Sequence, residues 1–358
     1  MKRTFSILLF LLLVIYAKEG YKLATQVNPV QSFNTGSLSD VAEEVIAIPL
    51  ETNAHCILSH ARLVKRDGDN LFLLCRQQLY HFSCSGKFIN QITYCNSLYK
   101  NNILASDYVI DPVHKQLIVT DGQQHVQYYN YDGDFLGKID LPADYAGQSL
   151  GKLAYYDGHI WTTVNRAVLR KEYNNQLCME QWLYKFDTAF HKVETRKLTA
   201  VIGHLTGDGR LTIDHALEPE VAVANRQVYV QAPSLQPDEL LQDTLYLISR
   251  NKLDITDGYS SILPIRISSR FLVSTHYNPN DEDKCYTFCY DQQKSRAYNV
   301  QGGLVDNFYG TGKVRELQAM DVYSNSYCFY KSSEEVKKAF PDRKTGDNPV
   351  VFIVKLKA

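Results

Sequence analysis

The residues best suited to chemistry lie in four places. Gly147-Gln148-Ser149-Leu150-Gly151 matches the G-x-S-x-G pattern of a serine nucleophile. That pattern works where a strand leads into the serine and a helix leads out of it, because the sharp strand-to-helix turn is what exposes the hydroxyl. Here the loop Pro142-Ala143-Asp144-Tyr145-Ala146 precedes it, and Lys152 to Gly158 reads as a strand and a turn. Ser149 is therefore read as part of a loop between sheets, and no catalytic residue is assigned. His55 and His60 flank Cys56 to Ser59, and His81, His114, His125, His159, His204, His215 and His276 are scattered, with no H-E-x-x-H and no repeated ligand spacing. No metal ligands are assigned; His81 and His125 sit in or beside strand-like runs and read as packed or solvent-facing. Asn280-Asp281-Glu282-Asp283 is acidic, and carboxylate oxygens suit calcium, but the spacing is not that of an EF-hand loop, so it reads as a solvated hairpin tip. Asp306 and Asn307 stand among the glycine-bearing turns of Gly302 to Gly312, and Arg315 follows just after them. They are the candidate ligand-binding residues, placed to face a concave channel. Asp and Asn at such positions equally cap turns.

These residues need a scaffold, and its unit is visible in Val126 to Leu136, VQYYNYDGDFL. Two apolar runs meet at Asp132-Gly133, where glycine supplies the positive φ that a tight hairpin turn demands. Further Asp-Gly pairs stand at 67–68, 121–122, 157–158, 208–209 and 257–258. An apolar phrase ending at residues 82, 129, 186, 248, 288 and 354 recurs six times, at an average spacing of about 54 residues. Repeats of several short strands at such periods build β-propellers, in which each blade buries its faces against its neighbours. The last phrase, Val351 to Val354, leaves nothing after it to complete an outer edge. Val45 to Leu50 is expected to return and pair with it, closing the ring and removing two open sheet edges. Ser332 followed by Glu335 forms a capping box for a helix running to Phe340, with Pro341 as its stop.

Composition agrees. Tyrosine, at 25 residues against 15 Phe and 2 Trp, favours strands. An apolar content of 45% supports a sizeable core, and a net charge of −1 gives no electrostatic reason to expect nucleic acid. Lys2 and Arg3 precede the apolar run Phe5 to Tyr16, with Ala17 as a small residue at a cleavage point. This is the pattern of a signal peptide, and the run is shorter than the ~20 residues of a spanning helix. Export is expected, to the periplasm, cell surface or medium. The first of the eight cysteines is Cys56, so no lipid-attachment cysteine lies near the cleavage point. Cys285 and Cys289, four apart in a strand, would stand about 13 Å from each other, too far to bridge. The cysteines read mostly as buried small apolar residues.

Several phrases in order resemble a known family: IPLET at Ile48 to Thr52, SGKFINQI at Ser85 to Ile92, YVIDPVHKQLIVTD at Tyr108 to Asp121, DTLYLI at Asp243 to Ile248 and GGLVDNFYG at Gly302 to Gly310. Together they resemble the six-bladed β-propeller family of exported Bacteroidetes proteins, a domain of unknown function of the NHL/TolB-like kind. Relatives often carry a Gly-Pro-Gly-Glu-Tyr-like loop where this chain has Thr93 to Ser106, and paired acids where it has Asp306-Asn307. The resemblance implies the fold and no activity. The expectation is a signal peptide at 1–17, a flexible lead-in at 18–42, and one all-β domain at 43–358. That domain is a six-bladed propeller with one short helix inserted in the last blade. As a monomeric exported binding module it would hold a glycan, small molecule or envelope protein at one mouth of the ring, with no cofactor and no membrane span in the mature chain. The alternative is a calcium-dependent lactonase, esterase or lyase, in which acidic side chains from several inner strands converge on one ion.

Overall fold

The structure is a computed structural model. It describes residues 32–33, 36–59, 61–94, 103–122, 125–141, 149–170, 176–202, 204–205, 211–212, 220–224, 227–231, 261–262, 266–267, 270–278, 281–291, 293–294, 296–320 and 326–358. The proposed leader and the phrase at 245–248 lie outside them.

Strands dominate, and they pair with their sequence neighbours. Arg62–Asp67, Asn70–Cys75, Gln78–Ser83 and Phe88–Gln91 form a first four-stranded antiparallel meander. Asp107–Asp111, Gln116–Thr120, His125–Asn130 and Phe135–Asp140 form a second. In the third, His159–Arg170, Gln176–Phe186 and Lys192–Ile202 follow the short strands Ser149–Leu150 and Ala154–Tyr156. Glu220–Ala224 pairs with Gln227–Gln231. A penultimate sheet holds Phe271–Asn278, Asp281–Asp291 and Arg296–Gln301 behind two short strands. The closing sheet orders Gln318–Ala319, Ser326–Lys331, Val350–Leu356 and, on its outer edge, Ala42–Pro49. The expected return of the lead strand is thus realised, with Val45 opposite Val354 and Ile48 opposite Val351.

Each described Asp-Gly pair sits at a turn, with Gly68, Gly122, Gly133 and Gly158 all at positive φ. Between turns, alternation sends side chains to opposite faces. In Asn70–Cys75, Leu71, Leu73 and Cys75 pack with Val351, Ile353 and Cys328 of the closing sheet. Phe72 and Leu74 face the other way, onto Tyr108, Leu117 and Val119 of the second sheet. The strand is buried on both sides, which is why it reads as an unbroken apolar run. The second sheet meets the third through Val109, Ile118, Tyr155 and Ile160, and the penultimate sheet meets the closing one through Val273, Val300, Phe329 and Phe352. Antiparallel meanders stacked face to face, with their first strands side by side in chain order, make the fold a β-propeller.

Two expectations change. There are two short helices among the described residues, not one. The first, Leu38–Val41, lies inside the expected lead-in, and both its end residues are fully buried in the seam between the penultimate and closing sheets. It forms because Leu38 and Val41, three apart, share one face, while Asp40 accepts a hydrogen bond from Ser37 N at 2.9 Å. The second, Ser333–Val336, starts at the foreseen capping box, with Ser332 N donating to Glu335 Oε2 at 2.9 Å. It is shorter than expected: turns replace it before Phe340, whose ring stacks on Tyr309 at 5.9 Å.

Candidate functional site

The chain from the penultimate sheet to the closing one runs through a two-stranded hairpin, Leu304–Asp306 with Gly312–Val314. Gly303 starts it at a φ of 95°, and a Cβ there would meet Val314 O at 2.2 Å, so only glycine fits. Asp306 is buried and spends both carboxylate oxygens on the hairpin loop. Oδ1 accepts from Phe308 N at 3.0 Å and Tyr309 N at 3.1 Å; Oδ2 accepts from Thr311 N at 3.2 Å and Thr311 Oγ1 at 2.5 Å. Asn307 ties the hairpin to the first helix: its Oδ1 accepts from Ser39 N at 3.1 Å and its Nδ2 donates to Ser39 Oγ at 2.7 Å. Tyr309 OH adds a bond to Val45 O at 3.3 Å, and Val305 N donates to Gly36 O at 2.7 Å. Asp306 and Asn307 thus build and anchor the hairpin.

Arg315 follows the hairpin and lines a cavity of about 810 Å³ between the last two sheets. The other walls come from Gln301 and Gly302, from Lys313, Glu316 and Gln318, and from Phe329, Tyr330, Lys331 and Glu335. Lys331 is nearly buried; its ammonium donates to Lys313 O at 2.7 Å and to Glu335 Oε1 at 3.0 Å. Burial opposes charge on Glu335, but Ser332 N–H and the Lys331 ammonium outweigh it and hold its carboxyl below the usual value. Burial, with Glu316 nearby, raises the Tyr330 phenol, so its hydroxyl stays neutral. The cavity is polar, charged and floored by aromatic rings. Of the three candidates read from sequence, Arg315 alone lines it. Lys313, Gln318 and Lys331 carried no signal, because three separate segments supply them.

The remaining candidates stay apart. Ser149 lies in a strand opposite Asn165, with no helix after it, so the nucleophile elbow is not formed. His81 is buried, stacked on Phe72 at 4.4 Å, with Nε2 2.9 Å from Asn70 Oδ1 and Nδ1 3.0 Å from Tyr131 O. His114 pairs with Asp111 at 2.6 Å and His125 with Asp140 at 2.8 Å. Among the described residues no three His, Cys, Asp or Glu side chains come together as metal ligands. Asp281 begins a strand of the penultimate sheet, paired with Asn278, and Asn280 lies outside the described residues. Cys56, Cys75, Cys84, Cys178, Cys289 and Cys328 are free thiols, and burial pushes Cys56 up to about 12.

Fold and cavity together define a β-propeller with a polar cleft at the seam where its ring closes. The family described as Domain of unknown function (DUF4934) matches residues 24–256, and the chain belongs to it. Comparison with curated proteins finds no match. Among solved structures, a Bacteroides fragilis NCTC 9343 protein described as exported is similar, with 17% identity and a TM-score of 0.61 over 91% of this chain and 98% of that one. A DUF4221 family member from Bacteroides vulgatus ATCC 8482 shows 9% identity and a TM-score of 0.46 over 88% and 97%. The Cps50 (Swd1) β-propeller domain of Myceliophteria thermophila shows 10% and 0.40 over 86% and 99%. At 17% identity the first likeness is one of fold. No helix among the described residues is long and apolar enough to cross a membrane.

Proposed function

We propose that the chain is an exported, monomeric six-bladed propeller that acts as a binding module, with its ligand in the cleft between the last two blades. The count of six is supported by the inner strands. Gln318–Ala319, Arg62–Asp67, Asp107–Asp111, Ala154–Tyr156, Glu220–Ala224 and Arg266–Ile267 each neighbour the next in that order. Export is supported by the basic and apolar start of the chain and by the description, as exported, of the Bacteroides fragilis protein of similar fold.

The observation that carries the reading is the cleft itself. At about 810 Å³ it falls in the ~300–1,000 Å³ range of small-molecule sites, and its walls mix aromatic rings with convergent polar groups. A folded protein partner needs a broad face of roughly 800 Å² instead. The test is a thermal-shift series on the chain from Lys18 onward, with glycan fragments, small metabolites, calcium and a chelator. A ligand of the cleft adds about 2.7 kcal/mol of stability at a hundredfold excess over its dissociation constant. Arg315→Trp, a surface change that fills the cleft, abolishes that shift. A ligand whose shift survives Arg315→Trp binds elsewhere and refutes the location. Loss of stability on chelation, restored by calcium, refutes the metal-free binding module.

A further inference from the structure

The hairpin wall of the cleft is gripped from behind by the lead-in of the chain. Ser32–Phe33 pairs in parallel with Asn299 and Val300 of the penultimate sheet. Gly36 then meets the hairpin, where its O accepts from Val305 N at 2.7 Å. A Cβ at 36 would lie 2.6 Å from Val300 Cγ2, so the backbone runs flush against the sheet. Ser39 carries the two bonds to Asn307, and Leu38 and Val41 are buried in one cluster with Leu304 and Val314. Lys357 Nζ adds a bond to Ser39 O at 2.6 Å. Across the hairpin Val305 stands opposite Lys313. The residue that holds Gly36 is thus the cross-strand partner of one that lines the cleft.

The same lead-in is built to come away before the sheets do. Residues 36–41 are anchored by the side chains of Leu38 and Val41, which must offset the entropy of ordering the whole segment. The Ser39–Asn307 bonds lie exposed to water. Where the segment joins Ala42–Pro49, the ladder to Val350–Leu356 shifts register between Ala42 and Glu44. A bulge interrupts pairing, so the segment can peel as far as Ala42 and leave the closing strand in place. Segments with few buried apolar contacts and exposed hydrogen bonds open well below the free energy of global unfolding. We propose that residues 36–41 are a clasp on the cleft. Docked, they fix its hairpin wall; released, they free that wall while the closing sheet stays intact. The clasp acts on the shape of the cavity, whatever the cavity holds.

The experiment is hydrogen–deuterium exchange, read peptide by peptide, on the mature chain and two variants. In the native chain residues 36–41 and 304–314 exchange faster than Val350–Leu356. Gly36→Val sets a branched side chain against Val300, itself stiff, and undocks the clasp. Exchange over 36–41 and 304–314 then rises together, by at least about tenfold, while Val350–Leu356 keeps its native rate. Gly36→Ala gives the same pattern more weakly and serves if the valine variant does not fold. Native exchange at 304–314 after 36–41 has opened overturns the coupling to the cleft wall. A rise that includes Val350–Leu356 in step overturns a separable clasp, because the segment then opens only with the closing sheet. No change at 36–41 in either variant overturns the close packing of Gly36 on Val300.

Discussion

Polar residues inside this propeller are committed to structure before they are free for chemistry, and His81 shows what that costs. Its ring lies in the contact between the first and second sheets, 4.4 Å from Phe72, with Nδ1 3.0 Å from the Tyr131 carbonyl, to which it donates. Burial lowers its proton affinity, so the folded chain keeps it neutral to a lower pH than the unfolded chain does. The unfolded chain takes up that proton near pH 6.5. Stability attached to His81 is therefore complete above about pH 6.5 and is lost as pH falls, by at most ~1.4 kcal/mol per unit for one proton. His81→Gln is less stable at pH 8, but its deficit against the native chain narrows between pH 7 and pH 5 in urea titrations. A deficit that stays constant over that range refutes the buried neutral imidazole. Asp306 and Asn307 follow the same logic. Residue type and glycine setting flagged them, but a turn cap and a ligand contact use the same short polar side chains, and only geometry separates the two. Arg315 could be picked out because it is a charge beside the turns, whereas nothing in one sequence ties Lys313 and Gln318 to Tyr330 across a cleft.

The element on which the cleft depends is the hairpin Leu304–Val314, and its two leading glycines do different work. At Gly303 an added Cβ strikes backbone, Val314 O at 2.2 Å, and neither partner can move without opening the hairpin. At Gly302 the added Cβ meets only the flexible end of Lys313. Both have positive φ, where alanine is strained. Gly303→Ala thus combines strain with overpacking and lowers stability by about 2–4 kcal/mol. Gly302→Ala costs about 1 kcal/mol by strain alone, while displacing the Lys313 ammonium. Urea midpoints for the two variants check the order, and equal costs would refute the backbone clash at 303. The hairpin's existence was less legible than the meanders. Apolar runs split by Asp-Gly announce strands such as His125–Asn130 and Phe135–Asp140. The hairpin strands are three residues each, too short for a period to show. The first helix escaped for the same reason: at four residues, its signal is only Leu38 and Val41.

At the scale of the whole molecule, one seam holds both ends of the described fold. The strand near the start, Ala42–Pro49, closes the sheet built by Val350–Leu356, and the first helix seals the face beside it. This was legible because an apolar phrase at the end of the chain demands a partner, and Val45 to Leu50 was the apolar run without one. The clusters between sheets continue from that seam, first sheet to second and second to third. A break at the seam therefore unfolds distant sheets with it, as long as each blade is stable only between neighbours. Both tryptophans, Trp161 and Trp182, lie in the third sheet and report on a region remote from the closure. Ala47 N turns outward to Tyr309 OH at 3.3 Å, so by alternation the N–H of Ile46 faces the C-terminal strand. Ile46 is 43% exposed, so changing it removes little core. Ile46→Pro deletes a ladder hydrogen bond, leaves its carbonyl partner unmatched and destabilises by roughly 1–3 kcal/mol. Tryptophan fluorescence and far-UV circular dichroism should then shift to lower denaturant together, in a single transition. If the fluorescence midpoint holds while the dichroism develops an early phase, the third sheet does not need the closed ring, and the seam stabilises only the blades it joins.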